Sequence, residues 1–370
     1  MKIAYLSTFY PFRGGIAQFN ASLFNELKKL YQIEAFTFTT QYPNFLFPGK
    51  SQFVEKDDKS TVINSKRILS TINPFSYFST ANLIKNYQPN LIITKFWMPY
   101  FAPSLGTVYK LLPKSIKKLA ILDNVIPHEK RIFDQTLIKY FLSNVEYFVC
   151  MSNTVKNDLL KLKPNAKFIK LEHPLYNHFG NKHNKREARK KLNLPDDKKL
   201  LLFFGFIRKY KGLDLLIEAL NYLNNDIELI ICGEVYGSFD EYEKLIKKYN
   251  LQQRIHLFNR YISDEEVSLF FSSADVCVLP YRSATQSGII SITYHFDLPV
   301  IATDVGGLRE TIEPYNTGLI VEELTPNQIA VGINNFFNSN IDFTKNISKY
   351  KEIASWENFA HKIIEFVNLY

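Results

Sequence analysis

Residues 274–310 read ADVCVLPYRSATQSGIISITYHFDLPVIATDVGGLRE. The stretch alternates strand, loop and helix, and then repeats the pattern. Val276 to Leu279 is a short apolar run of the kind that marks a strand buried on both faces. Tyr281 to Ser287 is polar and small, which reads as a loop. Gly288 to Phe296 is apolar enough for a buried helix, and Pro299 forbids its continuation. Val300 to Ala302 reads as a second strand, and Gly306-Gly307 opens the next turn. In an open α/β sheet, ligands bind where strand ends meet helix starts. The loop Ser283-Ala284-Thr285-Gln286-Ser287-Gly288 occupies such a place. Its small side chains leave backbone N–H groups exposed at a helix N-terminus, which suits a phosphate.

The same residues resemble the C-terminal signature of the retaining GT-B glycosyltransferases of family 4. There, E-G-F-G is followed by an apolar helix with a second Glu, and then by G-x-P-V-I-A-T-D-V-G-G-x-x-E. Leu298 to Gly307 and Glu310 follow the second half closely. The first half departs: the two family glutamates, which hold the donor sugar and ribose, fall on Ala284 and Ile292. Gln286, Ser287 and Gly288 keep the ability to bind a diphosphate. The resemblance implies two Rossmann-like domains facing across a cleft, the GT-B fold, with a nucleotide-diphosphate sugar as donor.

The composition allows this. The chain has 370 residues, enough for two ordinary domains, and is 46% hydrophobic and 22% charged, a globular balance. Cys150, Cys232 and Cys277 each lie in an apolar run, which predicts buried thiols in a reducing compartment. Lys2 to Ser7 is too short to be a leader peptide and reads as a first strand. The longest apolar regions, such as Phe96 to Tyr109, are broken by proline and are too short to span a bilayer. The net charge of +9 is unevenly spread. Residues 1–176 carry 23 Lys+Arg against 11 Asp+Glu, and residues 177–370 carry 22 against 25. A basic half with aromatic segments such as Phe96 to Phe101 suits an anionic membrane surface; an ordinary solvated surface is the plainer explanation. Nucleic acid is disfavoured, since no RNP-like strand, helix-turn-helix or zinc spacing is present.

Along the chain, Met1 to Leu6 predicts a strand, STFYPFRGG (7–15) a loop, and Ile16 to Leu30 a helix. In the resembled family, the glycine loop of this unit reaches the donor phosphate, which points to Gly14 and Gly15. Two glycines in such a turn also have a purely local use. Strands follow at Ile33 to Phe38, Leu91 to Thr94, Leu119 to Leu122, Tyr147 to Met151 and Phe168 to Leu171; residues 40–66 read as an irregular exposed segment. The charged segment Asn177 to Lys199 puts a domain boundary near residue 176. The second half, 177–355, restarts with strands at Leu200 to Phe204, Ile227 to Cys232 and Ile255 to Phe258. Helices are expected at Leu213 to Leu223 and Asp240 to Tyr249, and at a capping box, Ser263 with Glu266. Trp356 to Tyr370 is an amphipathic helix; in the family it crosses back to the N-terminal domain.

The sharpest chemical cluster is Phe204 to Gly212, FGFIRKYKG. Charge grows on a departing nucleotide diphosphate, and fixed cations stabilise it without a metal. The segment resembles the family's G-R-x-x-x-x-K-G: Gly205, Lys211 and Gly212 match, Phe206 stands at the Arg position, and Arg208 is shifted by two. The alternative is a pair of solvated surface cations. Asp123-Asn124-Val125-Ile126-Pro127-His128-Glu129 ends a strand where related enzymes carry His-Asn-x-x-Pro-His-Glu. Asp123 takes the place of the family's first His, and His128 is the available imidazole. Tyr261 and Ile262 lie in a turn that runs along the nucleotide base in the family. Glu234 either faces the same cavity or caps its own turn. No Asp-x-Asp, Cys-x-x-Cys or His-Glu-x-x-His is present, so no metal and no other cofactor is expected. These readings converge on a metal-independent, retaining transferase of hexose onto a glycan or lipid-linked acceptor at the inner membrane face. A sugar-nucleotide-binding or scaffolding protein without activity is the main rival, and a phosphorylase or epimerase of another GT-B class a weaker one.

Overall fold

The computed structural model describes residues 1–43, 52–54, 61–126, 132–176, 179–235, 237–284 and 287–369; of Asp264 only the backbone is described. Contacts divide the chain into two units, Met1–Leu171 with Trp356–Tyr370, and Glu172–Ser355. Sequence alone put the division near residue 176. Glu172 goes with the second unit, where its carboxylate accepts a hydrogen bond from Tyr315 at 3.2 Å.

The N-terminal unit runs β1 (Lys2–Leu6), α1 (Gly15–Leu30), β2 (Gln32–Thr40), β3 (Ser65–Ser70), α2 (Phe75–Tyr87), β4 (Leu91–Phe96), α3 (Ala102–Leu111), β5 (Lys117–Leu122), α4 (Asp134–Ser143), β6 (Tyr147–Cys150), α5 (Asn153–Leu162) and β7 (Lys167–Lys170). Its sheet is parallel in the order β3-β2-β1-β4-β5-β6-β7. The strands are apolar on both sides because helices cover both faces. Ile92, Phe96, Ala120 and Phe148 share one layer with α2, α3 and α4. Ile3, Tyr5, Ile93 and Ile121 share the other with α1 and the chain's last helix.

The second unit runs α6 (Lys185–Lys191), β8 (Lys199–Phe204), α7 (Leu213–Leu220), β9 (Ile227–Cys232), α8 (Asp240–Lys248), β10 (Ile255–Phe258), α9 (Asp264–Ser273), β11 (Val276–Leu279), α10 (Gly288–His295), β12 (Val300–Thr303), α11 (Leu308–Ile312), β13 (Gly318–Val321), α12 (Pro326–Phe337) and α13 (Phe343–Ile353). Its parallel sheet has the order β10-β9-β8-β11-β12-β13. Both orders are doubly wound, and each reverses direction once, between β1 and β4 and between β8 and β11. Such a reversal opens a crevice at the carboxyl edge of the sheet. The final helix, α14 (Trp356–Asn368), returns to the N-terminal unit. Trp356 and Phe359 pack edge-on to Phe19 of α1, and Lys117 Nζ donates to the Val367 carbonyl at 2.7 Å.

Two expectations change with the fold in view. The aromatic segment Phe96 to Phe101 does not form a membrane-facing loop. Phe96, Pro99 and Phe101 are buried, and Trp97 and Tyr100 pack against the same core. An apolar strand end flowing directly into a helix start fills the layer rather than the surface. The exposed apolar side chains lie elsewhere: Ile72, Phe75 and Phe78 at the start of α2, and Ile132 and Phe133 before α4. Both groups stand at the carboxyl edge. Many cations of the unit lie at the opposite edge, including Lys28, Lys29, Lys85 and Lys110 in the last turns of α1, α2 and α3. There they complement the helix dipoles.

The three thiols are free and buried, and burial pushes those of Cys150 and Cys277 up to about 12. The capping box at α9 is formed by Ser263 and Glu266, as its spacing predicts. No helix among the described residues is long and apolar enough to cross a membrane.

Candidate active site

In the second unit, the loops after β8, β9 and β11 meet at the reversal of strand order. Three glycines allow it. Gly205 has φ +98, and a Cβ there would lie 3.0 Å from Lys211 Nζ and 3.5 Å from Ile289 Cδ1. Lys211 and the first turn of α10 therefore converge on one point. A Cβ on Gly212 would fall 1.9 Å from the Pro280 carbonyl oxygen, and one on Gly233 2.2 Å from that of Gly205. Only glycine permits such backbone approach at positive φ.

Lys211 ends a 3-10 turn (Lys209–Lys211) and is only 8% exposed. Its ammonium sits 5.8 Å from the centre of the Tyr281 ring. Burial, and then the neighbouring charge of Arg208, lowers it from 10.5 to about 8; the Cys277 side chain opposes this weakly. Among the described residues it has no carboxylate within ion-pair distance. A buried cation without a counterion is costly, and an anion bound beside it removes the cost. The alternative of a solvated surface cation thus fails for Lys211. Arg208 is exposed and lines a cavity of about 430 Å³ with Ile207, Val235, Asp240 and Tyr242.

α10 begins at Gly288 after Ser287, whose side chain makes no capping hydrogen bond; Ile290 N–H donates to the Ser287 carbonyl at 3.1 Å, while the N–H groups of Gly288 and Ile289 have no partner among the described residues. The predicted site residue Gln286 lies outside the described residues, as does His128 in the N-terminal unit. Glu234 is exposed; its carbonyl accepts from Ile207 N–H at 2.9 Å and extends the β8–β9 ladder. Tyr261 is exposed, whereas the Ile262 side chain belongs to the apolar core and leaves only its backbone for a ligand.

Sequence reasoning missed the groups that fasten these loops. Arg282 forks onto Asp214 of α7 at 2.8 and 2.6 Å and donates to the Lys209 carbonyl at 2.9 Å. Thr303 Oγ1 donates to the Tyr281 carbonyl at 2.6 Å. The only signal for Arg282 was a lone cation in an otherwise small, polar loop. Beside the site, Glu266 binds Arg260 at 2.8 and 2.5 Å; that contact, with help from Ser263, holds the carboxyl at about 2.

In the N-terminal unit, Gly14 has φ +104 and open space around it, and α1 starts at Gly15 without a side-chain cap. Asp123 follows β5 and pairs with Lys95 Nζ at 2.6 Å. Among the described residues, no cluster of His, Cys, Asp and Glu is arranged to hold a metal.

Comparison with known proteins fits this geometry. Residues 184–354 match the family model for glycosyl transferases group 1. An uncharacterized glycosyltransferase of Methanocaldococcus jannaschii is 27% identical over 371 residues, covering 96% of this chain and 95% of the relative. A putative teichuronic acid biosynthesis glycosyltransferase of Bacillus subtilis, TuaC, is 24% identical over 252 residues, 65% of this chain and 62% of the relative. Among solved structures, Anabaena HepE in complex with UDP superposes with a TM-score of 0.69 at 14% identity, over 100% of both chains; this likeness concerns the fold. Fold and site define the class: a GT-B protein with two Rossmann-like units. Its second unit is similar to the glycosyl transferases group 1 family over residues 184–354.

Proposed function

We propose that the protein is a retaining glycosyltransferase that moves a hexose from a nucleotide-diphosphate sugar to a glycan or lipid-linked acceptor in cell-surface polysaccharide synthesis. One observation carries this reading: the buried Lys211 ammonium, without a counterion among the described residues, beside the open first turn of α10. A diphosphate supplies the missing charge. In the reaction, the bond from the anomeric carbon to the phosphate oxygen breaks, a bond to the acceptor oxygen forms on the same face, and the acceptor's hydroxyl proton passes to the departing phosphate oxygen. Negative charge grows on the leaving diphosphate, where Lys211, Arg208 and the amides at Ser287-Gly288 stabilise it. Gly205 gives Lys211 room, Gln286 adds a polar contact, and Glu234, Tyr261 and Ile262 border the nucleoside. Gly14 and Gly15 serve the donor phosphate, and Asp123 and His128 serve the sugar and acceptor. No metal or other cofactor is needed, because fixed cations do that work. The Bacillus subtilis relative named for teichuronic acid biosynthesis supports a polysaccharide role, and the UDP complex of HepE supports a nucleotide donor. The protein works at the inner face of the membrane, meeting lipid through the exposed apolar residues at the start of α2 and before α4.

A second reading, a sugar-nucleotide-binding protein without activity, is favoured by Ile292, an apolar core residue where the resembled family has a donor-binding glutamate. One experiment separates them. UDP-, GDP- and ADP-sugars are screened by thermal shift, and the stabilising donor is then assayed for hydrolysis and transfer. Stabilisation with turnover is the expected result. Stabilisation without turnover establishes the second reading, and no stabilisation by any donor refutes both.

A further inference from the structure

Lys95 is a charge where the fold calls for an apolar side chain. β4 lies between β1 and β5, at the reversal of the first sheet, and its side chains alternate between two apolar layers. Leu91 and Ile93 face the layer of α1 and α14, and Lys95 continues that set. It is 2% exposed, with Nζ 3.3 Å from the centre of the Phe19 ring and 2.6 Å from Asp123 Oδ1. Burial lowers its pKa, and Asp123 partly restores it. The surroundings are built around the same point. Tyr5 donates to Asn20 Oδ1 at 2.7 Å, and Asn20 Nδ2 donates to Ser7 Oγ and the Thr8 carbonyl, both at 2.9 Å. These bonds tie the end of β1 to α1 and its glycine start.

Stability does not explain the pair. Taking two charges out of water costs about as much as their attraction returns, and an apolar residue at position 95 would pack among Phe19, Ile93 and Ile121. What the lysine alone provides is a fixed carboxylate. Asp123 donates its N–H to the Phe96 carbonyl at 2.9 Å, which sets its backbone. Lys95 takes one side-chain oxygen. The other has no partner among the described residues, and the side chain is 21% exposed at the carboxyl edge.

We propose that Lys95 is a positioning residue: it holds Asp123 as a fixed acceptor whose remaining oxygen takes a hydrogen bond from a sugar hydroxyl. This role rests on the transferase reading. The test is a cycle of Lys95→Met, Asp123→Asn and the double variant, measured for kcat, donor KM and melting temperature. Each single change lowers kcat roughly 10–100-fold, the range of one charge-assisted hydrogen bond, with donor KM little changed. The double variant is no slower than Asp123→Asn, because both changes remove one device. It also melts no lower than wild type. Wild-type kcat in Lys95→Met, or losses that multiply in the double variant, overturn the proposal and leave the transferase reading intact. A double variant that melts far below wild type makes the pair structural and also overturns it. A wild type silent towards every nucleotide sugar brings down the transferase reading, and this role with it.

Discussion

Replacing Lys211 by Met separates what the lysine does for the fold from what it does for the ligand. The fall from 10.5 to about 8 corresponds to about 3 kcal/mol, at roughly 1.4 kcal/mol per tenfold change, spent on keeping the ammonium charged in the empty protein at neutral pH. Met has similar length and no charge, so the ligand-free variant should be more stable than wild type by up to that amount. The pH dependence has a definite sign. Between about 8 and 10.5 the unfolded chain holds this proton and the folded chain does not, so the lysine's contribution makes ligand-free stability rise with pH across that window. A bound diphosphate restores the proton, so nucleoside-diphosphate affinity should fall as pH rises through about 8. Turnover of Lys211→Met should drop on the order of 100-fold, more than donor KM rises, since the charge it meets grows in the transition state. Melting curves with and without UDP, GDP and ADP, and steady-state kinetics from pH 6 to about 10, read all of this. Unchanged turnover, or a ligand-free variant less stable than wild type, would refute the reasoning.

Three further outcomes are expected. Chelation by EDTA should leave turnover unchanged; loss restored specifically by Mn²⁺ or Mg²⁺ would contradict a mechanism resting on fixed cations. Gly212→Ala places a Cβ 1.9 Å from the Pro280 carbonyl at φ +67, so it should cost more than about 1 kcal/mol in urea unfolding and abolish the thermal shift with donor; wild-type behaviour would show that the two loops separate freely. Phe75→Ser with Ile132→Ser should weaken flotation with lipid vesicles; flotation untouched by these changes would remove the membrane contact from the proposal.

Much of the fold was legible because its determinants are local. Val276–Leu279, Ile227–Cys232 and Ile255–Phe258 end where their apolar runs end. The capping box at Ser263 and Glu266 is a contact within one turn. Lys211 and its glycines could be singled out because the spacing of Gly205, Lys211 and Gly212 is a sequence property. Its burial, and its lack of a counterion among the described residues, could not, because they depend on β11 and α10 folding over it. Arg282 meets Asp214, and Lys95 meets Asp123, only because parallel strands carry distant residues to one edge. The aromatic segment Phe96 to Phe101 shows the converse: sequence gives its apolarity but not its side, and packing against α2 to α4 put it inside. Composition likewise set the charge of the N-terminal half. Where those cations sit was decided by the parallel run of the strands, which sends the last turns of α1, α2 and α3 and their lysines to the edge opposite the strands' carboxyl ends.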